Sequence, residues 1–454
     1  MPIESINPAD GKLIEHFDPM GDAAVRARLA AAARAAADWG ARSPAQRCDL
    51  LARVAALLCE RRDSLAALIT REMGKLIGES EAEIDKCAWV ARHYAEHAQA
   101  YLADEAIDSD AGRSLVACAP LGAVLAVMPW NFPFWQLFRC AAPALAAGNP
   151  VLLKHASNVP GCALAIEGLF RDAGAPAGVF ATLLIGADRV EPVIADPAVR
   201  AVSLTGSDAA GRKVGAIAGT HLKKTVLELG GSDAFVVLDD ADVELAAETA
   251  VKARFMNAGQ SCIAAKRFII VESVAAGFME RLLAGIEALR PGDPMDRQTT
   301  LAPMARADLR DELHAQVNAS VGAGAVLVMG GAPLDGPGFF YAPTLLDQVG
   351  PGMPAYDDEL FGPVAAVIRA ADEAHALRIA NDSRFGLGGS VWTRDTARGE
   401  AFARRMVCGA AFVNGMVKSD PRLPFGGIRD SGHGRELSRL GIRELVNQQT
   451  LWVR

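Results

Sequence analysis

Of the eight cysteines (positions 48, 59, 87, 118, 140, 162, 262 and 408), Cys262 has the setting in which a thiol could do chemistry. It ends the run Asn257-Ala258-Gly259-Gln260-Ser261-Cys262, a small and polar loop just before an apolar strand. A thiol there is poorly placed as core filler. Its backbone N–H can point to the side of the sulfur, which suits an oxyanion hole; a plain loop cysteine is the alternative. Glu228, in Leu227-Glu228-Leu229-Gly230-Gly231, closes an apolar strand. Apolar flanks desolvate a carboxylate and raise its pKa toward that of a general base. Alone, the segment reads more readily as a strand-end glutamate facing water. In Pro129-Trp130-Asn131-Phe132-Pro133 an amide is held between two aromatics and two prolines. Its N–H could serve a developing oxyanion, or the run could simply be a stiff turn.

A nucleotide site is fainter. No G-x-G-x-x-G follows a strand, and Gly322-Ala323-Gly324 lacks the third glycine. Leu204-Thr205-Gly206-Ser207 instead ends a strand and opens an Ala-rich helix, a combination that can hold a phosphate through backbone N–H groups and the helix dipole. His93-Tyr94-Ala95-Glu96-His97 matches an inverted zinc-protease pattern. With no downstream ligand in view, it reads as an exposed helix face, and no metal is expected.

Positioning these groups takes a mixed α/β frame. The first hundred residues read as helices, with Ser43-Pro44-Ala45-Gln46 supplying a capping box and a proline at the first helical position. From residue 151 onward short apolar runs alternate with Ala-rich helical segments, the βαβ rhythm of an open parallel sheet. The pattern predicts two α/β lobes meeting near Glu228 to Ser232, and a terminal strand over Leu445 to Arg454. Cys48, Cys59 and Cys87 fall in helical patterns and read as buried small hydrophobes.

The 454 residues include 51% hydrophobic and 22% charged side chains, an ordinary globular balance. The net charge of −8 offers no reason to bind nucleic acid or an anionic membrane, so an anionic substrate would need a local basic group. Glu4, Asp10 and Lys12 interrupt any leader pattern, and prolines break the longest apolar stretch, Leu121 to Trp135. A cytoplasmic protein with reduced thiols is the expectation.

Taken in order, the P-W-N-F-P run, the T-G-S turn, E-L-G-G, G-Q-S-C, Glu359-Leu360-Phe361-Gly362-Pro363 and the stretch from Pro424-Phe425-Gly426-Gly427 to Ser431-Gly432 resemble the aldehyde dehydrogenase superfamily over nearly the whole chain. The resemblance implies a two-lobed α/β fold with a small β arm for oligomerisation. It implies a cofactor-binding region over 1–103 and 124–231, a catalytic region over 232–430, and an arm from 104–123 and 431–454. It implies that Cys262 attacks an aldehyde, that Asn131 and the Cys262 N–H hold the oxyanion, and that Glu228 activates the hydrolytic water. It further implies that Trp130, Lys154, Gly206, Ser207, Leu229, Glu359 and Phe361 contact the nucleotide.

Strictly NAD-using relatives often carry a glutamate where this chain has Ser157. A small hydroxyl there leaves room for a 2′-phosphate that Lys154 could pair with, so NADP is expected to be accepted alongside NAD. Asn414-Gly415-Met416-Val417-Lys418-Ser419-Asp420-Pro421 and Trp135-Gln136-Leu137-Phe138-Arg139 are similar to short bacterial succinate-semialdehyde dehydrogenases. That points to succinate semialdehyde, with Arg139 binding the distal carboxylate, helped by Ser419 or Lys418. Where some of those enzymes have a second arginine, this chain has Met256. Glutarate semialdehyde, an aliphatic aldehyde, or a cofactor-free thiol hydrolase are the alternatives. A homodimer or homotetramer is implied.

Overall fold

The computed structural model describes residues 3–454. A six-stranded sheet runs, in spatial order, Gly432–His433, Lys224–Glu228, Val199–Thr205, Ala123–Met128, Val151–His155, Phe180–Thr182. All its pairings are parallel except the Gly432–His433 edge. Its side chains alternate between two buried layers. Val124, Ala126, Val151 and Leu153 face one core, and Ala123, Leu125, Leu152 and Val202 the other. Burial on both faces explains why these strands read as unbroken apolar runs.

A seven-stranded sheet follows the same logic, in the order Val326–Met329, Thr344–Asp347, Val364–Ala370, Ala265–Val271, Asp233–Val237, Gly388–Trp392, Ala410–Val413. Only its Val326–Met329 edge is antiparallel. The chain passes from the first sheet to the second between Glu228 and Asp233. A third sheet joins Val446–Val453, Arg113–Pro120 and Glu105–Ala106.

The N-terminal segment is not wholly helical. Ile3–Ile6 and Leu13–Phe17 form an antiparallel pair before the first helix. Ile3 and Ser5 are buried, Ser5 by a hydrogen bond to Glu72 (2.8 Å), so tertiary contacts set a strand too short to announce itself.

The Ser43 capping box forms on Pro44–Glu60. Two other helices have no local cap and borrow one. Glu83, from the Ile77–Tyr101 helix, accepts from Phe134 N and Trp135 N (2.9 and 3.0 Å) at the start of Trp135–Ala146. Glu72 accepts from Gly161 N and Cys162 N (2.9 and 2.8 Å) at the start of Pro160–Asp172. Each carboxylate satisfies orphan N–H groups and meets the positive end of the helix dipole. Glu83 is itself ion-paired to the fully buried Lys75.

No helix among the described residues is long and apolar enough to cross a membrane. Cys59 is exposed, unlike Cys48 and Cys87, because it lies on the outer side of its helix. His93 is buried rather than exposed, beside Tyr101 Oη (3.2 Å) and the His97 ring. Burial pushes its pKa down to about 4, and no metal-binding cluster occurs among the described residues.

Candidate active site

Neighbouring parallel strands end on one side of the six-stranded sheet. The chain adds strands on one side of Ala123–Met128 and then crosses to place Val199–Thr205 on its other side. The crevice at such a switch point, beyond the strand C-termini, is where open α/β sheets bind ligands. Trp130 and Asn131 follow the first of these strands, Gly206 and Ser207 the second. All four line a cavity of about 430 Å³, with Leu229, Glu359 and Phe361 opposite.

Ser207 caps the Asp208–Thr220 helix, its Oγ accepting from Ala210 N (3.3 Å). A Cβ added at Gly206 would meet no atom closer than 3.7 Å, so the turn does not require glycine for space. Trp130 meets Phe361 edge-on at 5.8 Å. A glycine turn, a helix N-terminus and aromatic walls fit a nicotinamide dinucleotide. Lys154 is the penultimate residue of the adjacent strand, buried, with its pKa lowered by desolvation while Asp188 opposes the shift. Ser157 is exposed on the loop beyond it.

A second cavity, about 540 Å³, lies across the nucleophile loop. Cys262 lines both, and so does Gln136, to which the sequence reading assigned no role. The loop before Cys262 is unusual backbone: Asn257, Ala258 and Gly259 all have positive φ (54°, 50° and 72°). Such strain persists only where the surroundings over-determine it. Here Arg254, fully buried, donates from Nη2 to the carbonyls of Gly259 (2.7 Å), Leu360 (3.2 Å) and Gly362 (2.5 Å). Desolvation brings its pKa down to about 9, with Glu359 opposing. A Cβ at Gly259 would stand 2.2 Å from Gly362 O, so glycine is required. Lys266 donates to the carbonyls of Ser261 and Cys262 (2.8 and 2.7 Å) and pairs with Glu359 at 3.0 Å.

Asn131 is buried against this loop, Nδ2 donating to Gln260 O at 3.1 Å. One amide N–H is spent there and the other is left over. Glu228 is buried beside the thiol, with Oε2 held by Arg139 Nη2 (2.9 Å) and Oε1 without a partner. Burial pushes the Glu228 pKa up, against the pull of Arg139. Burial and the Glu228 charge push the Cys262 thiol up, so the resting sulfur is protonated. A neutral thiol facing a carboxylate with one free oxygen is a nucleophile–base pair.

Arg139 corrects an expectation. It reaches the second cavity but is not a free cation. Nη2 meets Glu228, and Nε lies 2.7 Å from Glu436, inside a triad with all three side chains buried. Its guanidinium also lies over the Phe425 ring, 4.6 Å from the centroid. Two carboxylates already compensate its charge, so it orients Glu228 before it can serve anything else. Glu436, about 300 residues along the chain from Arg139, carries no local signal that could have revealed this.

Lys86, half-buried on the Ile77–Tyr101 helix, lines the second cavity and is in no ion pair among the described residues; its Nζ donates to Ser419 Oγ (2.9 Å). Lys252 and Lys418 line the same cavity from exposed positions, and Met256 contributes an apolar wall.

The aldehyde dehydrogenase family model matches residues 1–451. A probable succinate-semialdehyde dehydrogenase [NADP(+)] of Synechocystis sp. is 50% identical over 453 residues, covering all of both chains. Succinate-semialdehyde dehydrogenase [NADP(+)] 1 of Mycobacterium tuberculosis is 49% identical over 456 residues, again over the full length of both. Among solved structures, succinic semialdehyde dehydrogenase from Streptococcus pyogenes in complex with NADP+ superposes with a TM-score of 0.97 at 39% identity, over 99% of each chain. With a nucleophile loop, a buried carboxylate and a dinucleotide crevice assembled in one α/β frame, the chain belongs to the aldehyde dehydrogenase family.

Proposed function

We propose that this enzyme oxidises succinate semialdehyde to succinate with NADP, accepting NAD as well, through a thioester on Cys262. The observation that carries the reading is that Cys262 lies where two cavities meet. One suits a dinucleotide and the other an aldehyde. The substrate and nucleotide named for the relatives support the choice. Ser157 in an open position beside Lys154 favours a 2′-phosphate.

Cys262 Sγ bonds to the aldehyde carbon while its proton passes to Glu228 Oε1. Charge gathers on the aldehyde oxygen, and Asn131 Nδ2 and the Cys262 N–H are its donors. A nicotinamide nucleotide, when bound, accepts the hydride that turns the adduct into a thioester. Once Glu228 has released its first proton to solvent, it takes another from the attacking water. The thiolate departs, is reprotonated, and the acid leaves. Glu359, Phe361, Trp130 and Leu229 shape the nucleotide side, and Ser419 contributes to the substrate side.

A division into a cofactor region, a catalytic region and a β arm accords with the three larger sheets. Leu451, Trp452 and Val453 are 39%, 52% and 54% exposed on the arm, which supports assembly there into a homodimer or homotetramer, in the cytoplasm. Steady-state rates for succinate semialdehyde, glutarate semialdehyde and butanal, each with NADP and NAD, test the reading. Equal kcat/KM for succinate semialdehyde and butanal would sink the substrate assignment. Ester turnover without nucleotide, and no reduced nicotinamide formed with aldehyde, would favour a thiol hydrolase.

A further inference from the structure

We propose that Lys86, with Ser419 and Trp135, is the site that recognises the aldehyde's distal carboxylate. The inference rests on the reading of the substrate as an aldehyde that carries an acid. Lys86 Nζ and Trp135 Nε1 both donate to Ser419 Oγ, at 2.9 and 3.2 Å. With both lone pairs of that oxygen engaged, its own O–H must point elsewhere. Lys86 keeps two further N–H groups. The three side chains form a corner of the second cavity rich in donors, and Ser419 and Trp135 are both buried there.

Among the described residues no carboxylate is ion-paired with Lys86. The two carboxylates that act on Lys86 are committed elsewhere: Glu83 to Lys75 and the start of the Trp135–Ala146 helix, Asp420 to Arg422 at 2.7 Å. Lys86 is in none of the ion pairs among the described residues. Its ammonium lies 4.3 Å from the Trp135 ring centroid, a contact that holds a cation without neutralising it. Burial, and then the Arg139 charge, lower its pKa to about 8, as for a cation short of a partner. Glu79, the other carboxylate on this wall, accepts from Asn257 N (2.9 Å) and is pushed by burial toward its neutral form. A carboxylate entering past the exposed Lys252 and Lys418 would meet a matched charge at this corner.

The test is the ratio of kcat/KM for succinate semialdehyde to that for butanal, in which the chemistry at Cys262 and Glu228 cancels. Lys86→Met should lower the ratio about 10- to 100-fold, the range for a lost hydrogen bond to a charged group. Lys86→Arg should restore much of it. Lys213→Met, which removes an exposed charge that lines neither cavity, serves as the control. A second reading needs no variant: in the wild type the ratio should fall as pH rises through about 8, where Lys86 loses its proton.

The groups facing Lys86 are Glu83 and Cys87 on its own helix, Arg139 on the Trp135–Ala146 helix, and Asp420 on the loop carrying Ser419. Cys87 is pushed well up by burial, and Asp420 is held down by Arg422. Neither changes charge near pH 8. A wild-type enzyme that prefers succinate semialdehyde, with a ratio unmoved by Lys86→Met and flat through pH 8, overturns the role of Lys86 and leaves the proposed function standing. A wild type with no preference overturns both.

Discussion

Replacing Arg139 with Met separates two roles that the position could hold. In the folded protein its guanidinium lies between Glu228 and Glu436, with all three side chains buried. Removing the cation leaves two carboxylates without a counter-charge, and breaking a buried pair from one side costs about 3–5 kcal/mol. Burial pushes Glu436 up to about 7, with Arg139 opposing, and raises Glu228 likewise. Both groups therefore hold protons in the folded state at pH values where the unfolded chain has lost them. Stability from this pair falls as pH rises from the ordinary carboxylate range toward 7. Without Arg139 that fall is steeper.

The expected result is a urea midpoint close to wild type near pH 5 and well below it at pH 8. The kinetic consequence follows from the same charge. Glu228 stays protonated to higher pH, so thioester hydrolysis slows at neutral pH by up to about 10²–10⁴-fold, the usual worth of a general base. It should recover as pH rises. Because Glu228 also takes the Cys262 proton, the first turnover slows with it, and reduced nicotinamide would form slowly, without a rapid burst, for succinate semialdehyde and butanal alike. The opposite pattern refutes the reasoning: KM raised for succinate semialdehyde alone, with kcat, the butanal rate and the urea midpoint unchanged. That would restore Arg139 as a substrate carboxylate ligand.

Glu228→Gln should lower the pH at which Cys262 is alkylated by iodoacetamide, because a neighbouring negative charge is lost, even as aldehyde turnover drops. Slower alkylation at every pH would contradict the electrostatic account. Ser157→Glu should reduce kcat/KM with NADP by about tenfold or more, some 1.4 kcal/mol, and spare NAD; equal losses for both would show that Ser157 lies away from the ribose. Gly259→Ala combines a left-handed φ with a Cβ placed 2.2 Å from Gly362 O. It should abolish activity and lower the thermal midpoint, and wild-type rates would mean the loop is more yielding than its anchoring by Arg254 implies.

Much of the frame and of the reacting set is legible along the chain, because both are written locally. A strand buried on both faces must be apolar throughout, so the parallel sheets show in Val124 to Met128 or Phe268 to Val271 without any partner in view. A nucleophile loop needs small residues that tolerate left-handed backbone, so Gly259 and Cys262 stand out together. The N-terminal hairpin escaped because its strands are short and only Ile3 and Ser5 of the first are buried, Ser5 against Glu72. His93 and Cys59 show the same limit in opposite directions: a helical pattern gives the face, and only packing decides which face is covered.

What tertiary structure alone decided is the assignment of charges. Amino-acid type makes Arg139 and Lys86 equal cations, and the resemblance of the Trp135 to Arg139 segment favoured Arg139 for the substrate. In the fold, Glu228 and Glu436 converge on Arg139 from the first sheet and a distant loop, while the acids near Lys86 are taken by Lys75 and Arg422. Electrostatic availability depends on distances between segments hundreds of residues apart, which no local pattern encodes.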